Sequence, residues 1–362
     1  MNMKIPKYIQ AENEIKENIK RGVFVDKLPG ERILAKELGI SYMTVRDAIK
    51  NLVDEGILYK IPQKGTYINK IGLVKEKTRN IGFFLDDRIS DGISNPYYSL
   101  IFKALEKESV SNGYNLIFYS QYDNLYPSNK KMKVDGVIVS FFQRMENILK
   151  DLKIPVPVVL MDNRSADDSI PSVTIDNRNG IMDATNYLCS LGHKRIGYIA
   201  GLLDSDGGKD RLEGYINALE GQGIDLDKGL IYKGDYSFMS GEKGAGYLLS
   251  QSKPITAIVC ANDSMAVGAI KAIKEAGLSI PDDISVIGFD DIAVASQIYP
   301  PLTTMVVPFQ EIACNSVMML TSLIDGVELH DKHVILPARL IVRNSCAVNN
   351  PASSEGMAII RT

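Results

Sequence analysis

Between residues 80 and 346 short apolar runs alternate with segments of helical period, and this alternation restricts the fold more than any other feature of the chain. The runs are IGFFL, NLIFY, VDGVIVS, PVVLM, RIGYIA, TAIVCA and ISVIGF, with a helix from Tyr97 to Asn112 after the first and further helices among the rest. Strands and helices alternating at this pitch form parallel sheets wound by helices. The segment is long for a single sheet, and a break near Ile175–Asn177 divides it into two lobes, expected to comprise residues 80–175 with 307–330 and residues 176–306 with 331–346. Ligands of such folds lie at the carboxyl ends of strands, in the cleft where the lobes meet.

Several strands end in polar residues. ISNPYYSLI places Asn95, Tyr97 and Tyr98 at a helix start, VVLMDNR ends on Asp162, VCAND on Asn262 and Asp263, and VIGFDD on Asp290. Arg211 in KDRLEGY and Tyr236 in GDYSFMSG complete a set of carboxylates, amides, a guanidinium and aromatic faces. Taken singly, each Asp is as well read as a helix cap; their recurrence at strand ends favours a binding site. The inventory suits a sugar, with forked donors and acceptors for hydroxyls and rings for the C–H face. The chain has no Trp, so stacking falls to Tyr or Phe.

The first seventy residues follow another plan. Ile9, Ile15 and Ile19 make an apolar stripe on a helix that Gly22 closes; ERILAKEL is a second helix stopped by Gly39; Ser41 caps a third, in which Val45, Ile49 and Leu52 face inward until Gly56. LYKIPQKGTYI then reads as strand, turn and strand. Three helices and a hairpin form a winged helix-turn-helix. Ser41, Tyr42, Thr44 and Arg46 crowd the start of the third helix, where a recognition helix presents side chains to the major groove; Arg32 opens the second helix, and Gln63, Lys64 and Thr66 sit at the wing. Each of these alone is equally a solvated surface residue.

Charge separates the two parts. Residues 1–80 hold 16 Lys and Arg against 10 Asp and Glu, net +6, so with −3 over all 362 residues the remainder carries −9. A basic head on an acidic body suits a nucleic-acid binder whose larger part phosphate repels. Residues 70–79 are rich in Lys and Arg, lack apolar periodicity and read as a solvated linker; residues 347–362 read as a loose tail. Four cysteines, Cys189, Cys260, Cys314 and Cys346, lie far apart without CxxC spacing and are expected to be buried, reduced thiols. No run approaches the roughly 20 uncharged apolar residues of a membrane span, and the charged N-terminus lacks a signal peptide's apolar run, so a cytoplasmic protein is expected.

PKY, LPGERILAKELGISYMTVRDAIKNLVDEGILYK and KGTYI resemble the GntR family head along its length. That resemblance implies a dimeric operator binder in which Arg32, Ser41, Thr44, Arg46 and Gly65 of the wing contact DNA. Tyr42 departs from the family's usual Arg, which leaves the base preferred there open. SLGHKRIGYIAG, GDYSFMSG and CANDSMAVGAIKAIKEAGLSIPDDISVIGFDDIAVASQIYPPLTTM resemble the LacI family sensor over about residues 80–346. This second resemblance implies a two-lobed, periplasmic-binding-protein-like (type I) α/β body with parallel Rossmann-like sheets, three crossing strands and homodimerisation through helices beside the cleft. It also implies effector contacts from Tyr97, Tyr98, Asp162, Arg211, Tyr236, Asn262 and Asp290. A GntR head on such a body is the arrangement of the arabinose-repressor group of bacilli. One departure is the short stretch SQYDNLYPSNKKMK, where the family fits a longer amphipathic helix.

Catalytic signatures are sparse. His193 precedes a strand, His330 and His333 give a weak HxxH metal spacing, and GxSxG, GxxxxGK[ST] and HExxH do not occur. Paired acids at Asp282–Asp283 and Asp290–Asp291 are adjacent in the chain and point apart. The expectation is therefore a non-enzymatic regulator without cofactor or metal: a homodimeric repressor of carbohydrate genes that binds double-stranded operator DNA, stays off membranes and is released by a sugar. The alternatives are a corepressor-type or activating regulator responding to a purine or sugar phosphate, and a sugar-binding transport protein, which would need an export signal and no helix-turn-helix.

Overall fold

The protein is described by a computed structural model covering residues 6–62, 64–69, 77–85, 91–119, 133–140, 156–164 and 169–349. It divides into two compact units, Met1–Lys77 and Thr78–Thr362.

In the head, α1 (Lys7–Lys20), α2 (Glu31–Glu37) and α3 (Tyr42–Asp54) precede an antiparallel hairpin of β1 (Leu58–Ile61) and β2 (Gly65–Ile68). Ile15, Leu34, Val45, Ile49 and Leu52 are fully buried and make one core with Leu58 and Ile68, while Ile9 of the expected stripe is only half-buried. Cutting one of these core leucines or isoleucines to Ala costs about 2–5 kcal/mol, a large share of what so small a unit has. Glu12 is buried as well, its carboxylate accepting from Asn51 Nδ2 at 2.6 Å, which ties α1 to α3. Gly65 opens β2 at φ +117°, where an L side chain is strained and a Cβ would meet Lys27.

The body begins with β3 (Asn80–Leu85), α4 (Pro96–Ser111), β4 (Asn115–Tyr119), β5 (Gly136–Ser140), β6 (Val158–Met161) and β7 (Ser172–Ile175). Next come α5 (Asn177–Ser190), β8 (Ile196–Ala200), α6 (Asp206–Gly221), β9 (Ile231–Lys233), α7 (Phe238–Leu249), β10 (Ala257–Cys260), α8 (Asp263–Glu275), β11 (Ser285–Ile287) and the short α9 (Ala293–Gln297). β12 (Thr304–Val306), α10 (Phe309–Ile324), β13 (His333–Leu336) and β14 (Arg339–Ile341) finish the described chain. One parallel sheet has the order β13-β7-β6-β5-β3-β4, the other β11-β10-β8-β9, and β12 pairs antiparallel with β14. β5 and β8 are buried at every position, as parallel strands covered on both faces must be. In β3 the pleat sends Ile81, Phe83 and Leu85 into the main core, and Phe84 into a second cluster with Val137, Val139 and Leu160.

Three expectations need correction here. Residues 331–346 do not all belong to the second lobe: β13 pairs with β7, His333 beside Ser172 through Leu336 beside Ile175, and extends the first sheet. The tail does not start at 347, because Asn349 N donates to Leu191 O at 2.8 Å and Ala347 O lies 3.1 Å from His193 Nε2; only 350–362 fall outside the described residues. Of the four free thiols only Cys260 is fully buried; the other three are half-buried. Linker residues 70–76, Gln63 and the stretch 120–132 expected to hold a shortened helix also lie outside the described residues. Among the described residues, no helix is long and apolar enough to cross a membrane.

Candidate functional site

Of the nine residues singled out in the body from the sequence, all but Asp263 line one cleft between its lobes. Asn95, Tyr97, Tyr98 and Asp162 come from the first lobe, Arg211, Tyr236, Asn262 and Asp290 from the second; Ile175, Asn177, Ser205, Asp206 and Gly207 join them. The space between these residues, including the solvent open at its mouth, is about 650 Å³.

Local sequence explains how each side chain arrives. Asn95 caps α4, Ser205 caps α6 and Asn262 caps α8, each side-chain oxygen accepting a backbone N–H of its helix's first turn. Their helices thus start at the cleft wall. Asp162, Tyr236 and Asp290 sit at φ +60°, +69° and +117°, a region non-glycine residues rarely occupy and one found where structure holds a side chain against its backbone preference. Gly201 makes room for one of them: a Cβ there would stand 2.1 Å from Cζ of Tyr236.

Arg211 is the hub. Its Nε donates to Asn177 Oδ1 at 2.7 Å, its Nη1 to the carbonyl of Ala261, and its Nη2 lies 3.8 Å from Asp290 Oδ1. The guanidinium is 4.1 Å from the ring centroid of Phe289 and 5.6 Å from that of Tyr236, so it is buried yet supported on both its polar edge and its faces. Asp290 is 3% exposed, and its Oδ1 has no hydrogen-bond partner. Burial, with Asp263 and Asp162 nearby, pushes its carboxyl well above the usual range, against the pull of Arg211. Across the cleft, Tyr97 Oη donates to Asp162 Oδ2 at 2.8 Å, and its ring meets Tyr98 and Phe309 edge-on at 5.1 and 5.3 Å. Burial raises Asp162 to about 6, a rise that the Tyr97 hydroxyl and Arg211 limit. Asp263, noted at a strand end, has no place in the cleft: Thr304 Oγ1 and Ile292 N donate to its carboxylate, which fixes the loop around Asp290.

The head carries a second candidate surface. Arg32, Tyr42, Lys64 and Gly65 border a groove between α2, α3 and the wing, together with Lys27, Glu31 and Lys60, which the sequence reading passed over. Arg46 is exposed on α3, and Ser41 Oγ accepts from Thr44 N at 3.1 Å and shares a hydrogen with Thr44 Oγ1 at 2.8 Å. Thr66 also borders this groove, but the strand alternation leaves it only 7% exposed. Glu31 accepts from Lys60 Nζ at 2.8 Å; this bond, with Tyr42 and Arg46 nearby, holds its carboxyl below the ordinary value despite partial burial. Tyr42 and Glu31 thus share the wall of the groove.

His333 opens β13 with Nδ1 2.9 Å from Ser172 Oγ, and no group of three His, Cys, Asp or Glu among the described residues has metal-binding geometry.

A winged helix-turn-helix joined to a two-lobed parallel α/β body with a polar cleft is the build of a transcription regulator with a ligand-sensing domain. Residues 7–68 match the bacterial regulatory proteins of the gntR family, and residues 185–346 match the periplasmic binding protein-like domain. The HTH-type transcriptional regulator RegA of Clostridium saccharobutylicum is 32% identical over 328 residues, spanning 86% of this chain and 97% of RegA. The probable HTH-type transcriptional repressor ExuR of Bacillus subtilis is 32% identical over 327 residues, spanning 86% and 96%. A solved regulatory protein of the LacI family from Chloroflexus aggregans is similar with TM-score 0.64 at 28% identity, covering 75% of this chain and 100% of that one. The chain belongs to this family of HTH-type transcriptional regulators, with a GntR-type head and a periplasmic-binding-protein-like body, and its relatives are regulators rather than enzymes.

Proposed function

We propose that the protein is a cytoplasmic, homodimeric repressor of carbohydrate-utilisation genes, held on a pseudo-palindromic operator by two heads and released when a sugar enters the cleft of each body. Arg32, Arg46, Tyr42 and Lys64 reach bases and phosphates, with the Ser41–Thr44 pair and the Gly65 backbone at the start of α3 and at the wing. The observation that carries the sensing half is the buried Oδ1 of Asp290, without a hydrogen-bond partner among the described residues and 3.8 Å from Arg211 Nη2, an acceptor and a donor set for one hydroxyl, with tyrosine rings across the cleft. The regulator needs no cofactor and performs no catalysis in this reading. For a 100-fold release the sugar must favour the non-binding conformation by about 2.7 kcal/mol, within the range of ordinary allosteric couplings.

The test measures operator affinity of the full-length protein with and without L-arabinose, other pentoses, hexoses and disaccharides, in parallel with the variant Arg211→Ala. The expected result is loss of operator binding with one sugar and no such loss in the variant, whose sugar-free affinity is unchanged. Release by a purine instead, or an Arg211→Ala protein that responds with unchanged sensitivity, overturns the reading. Tightening of operator binding by a sugar keeps the sensor and reverses the sign of its coupling.

A further inference from the structure

We infer that the cleft takes an uncharged polyhydroxylated ligand and refuses acid-bearing ones, sugar phosphates and uronic acids alike; the inference rests on the sugar-sensing reading above. Charge separates the two kinds of ligand. Three carboxyl groups, Asp162, Asp206 and Asp290, face the space, and among the described residues Arg211 is the one cation of its lining. An anion needs a cation with nitrogens to give. Of its five N–H groups one serves Asn177 and one Ala261, and Nη2 lies 3.8 Å from Asp290 Oδ1, so a carboxyl group already stands against this single cation. The Tyr97 hydroxyl points its hydrogen at Asp162, and Asn262 Nδ2 gives one to the carbonyl of Tyr236.

Helix starts at the cleft wall are the feature that favours an anion, since their free N–H groups and dipoles attract negative charge. Here one N–H of each start is already answered by a cap from within the chain. Asn95 accepts from Tyr97 N, Asp176 from Asn179 N, Ser205 from Gly208 N and Asn262 from Met265 N. Asp206 and Asp263 add carboxylates to the first turns of α6 and α8. One buried acceptor, Asp290 Oδ1, is left without a hydrogen-bond partner among the described residues. A ligand hydroxyl can donate to it, whereas a phosphate or carboxylate adds negative charge beside Asp162 and Asp206.

The experiment follows the melting temperature of the full-length protein with D-glucose, D-galactose, D-ribose, L-arabinose and cellobiose. Their acid counterparts D-glucuronate, D-galacturonate, D-glucose 6-phosphate and D-ribose 5-phosphate are measured beside them. A shift with a neutral sugar and at least about 100-fold weaker binding of its acid counterpart is expected, since like charges set against each other are strongly penalised. An acid that binds as well as its neutral partner, or better, overturns the inference and leaves the sensor reading standing. Silence across both sets overturns the sugar-sensing reading, and the inference with it. The variant Asp206→Asn supplies a second readout, the ratio of acid to neutral affinity: a rise of about tenfold is expected, and an unchanged ratio shows that the lining charges do not set the selectivity.

Discussion

Asp210 of the second lobe is bonded to Arg164 of the first, while the next residue along α6, Arg211, turns into the cleft. Asp210 also lies 3.4 Å from Arg178, whose other partner is Glu213 at 2.7 Å. The Arg164–Asp210 pair is thus a clasp across the cleft mouth, two residues along the chain from Asp162 and one from Arg211. Arg164 is half-exposed, so the pair contributes no more than about 1 kcal/mol. Arg164→Ala should weaken the binding of the effector by about two- to fivefold, chiefly through faster dissociation. Exchanging the charges, Arg164→Asp with Asp210→Arg, should restore part of the loss in a double-mutant cycle read by stopped-flow ligand release. Additive effects would mean the clasp has no role in holding the lobes.

Asp162 gives the empty protein a pH dependence of defined sign. Its carboxyl is raised from an ordinary 3.8 to about 6, chiefly by burial. Between those values the folded state holds a proton that the unfolded state has lost, so stability falls as pH rises through the window and the full cost is felt above about pH 6. A shift of about two units corresponds to about 3 kcal/mol. Asp162→Asn should therefore flatten this part of the profile and raise the ligand-free stability at pH 7.5 by up to that amount, as read by urea unfolding at pH 5 and 7.5. It should at the same time weaken the effector.

Gly201→Ala is expected to separate sensing from folding. The added methyl collides with the ring of Tyr236, the outer end of a side chain able to swing away into the cleft, and not with backbone. The protein should fold, bind operator with its usual affinity and lose at least about tenfold in effector affinity, since a binding side chain displaced by even an ångström disturbs the whole constellation. Circular dichroism, operator binding and ligand titration on one preparation decide the matter. A variant that senses normally shows that Tyr236 stands aside from the ligand.

In the head, Glu31 holds Lys60 at 2.8 Å and competes with phosphate for it. Glu31→Gln should free a positive charge for DNA and steepen the dependence of log affinity on log salt by about one. Lys64→Ala should make it shallower by a similar step, uniformly across operator sequences, whereas Arg46→Ala should cost at least about 1–3 kcal/mol on the true operator and relax its sequence preference. A Glu31→Gln protein with an unaltered salt slope would place Lys60 away from the phosphates.

Much of the site was legible because strand ends advertise themselves. An apolar run that stops on Asp162, Asn262 or Asp290 states both the element and the place where its last side chain emerges. Asn177, Ser205 and Asp206 were passed over because a polar residue at a helix start reads equally well as a cap, and Ser205 does cap α6. Arg164 and Asp210 stand far apart in sequence, and nothing local announces their meeting. The burial of Thr66 was not legible for a different reason: one step along a strand reverses the face, so the wing's outward residues depend on a register that the turn alone sets. The lobe boundary was misplaced at β13 because an edge strand carries no label naming its sheet; pairing with β7 settles it.

The last strand of the first sheet, His333–Leu336, closes an assembly whose earlier strands begin at Asn80. During synthesis the two ends of this chain therefore mature in a fixed order. The head, contiguous and complete within the first 69 residues, can fold as soon as it clears the ribosome. The first lobe waits for nearly all of the remaining chain, and with it waits any response to a ligand. A polypeptide terminated before residue 333 carries a finished DNA-binding part and an unfinished receptor, so faithful completion of translation is itself a condition for this regulator to be controllable.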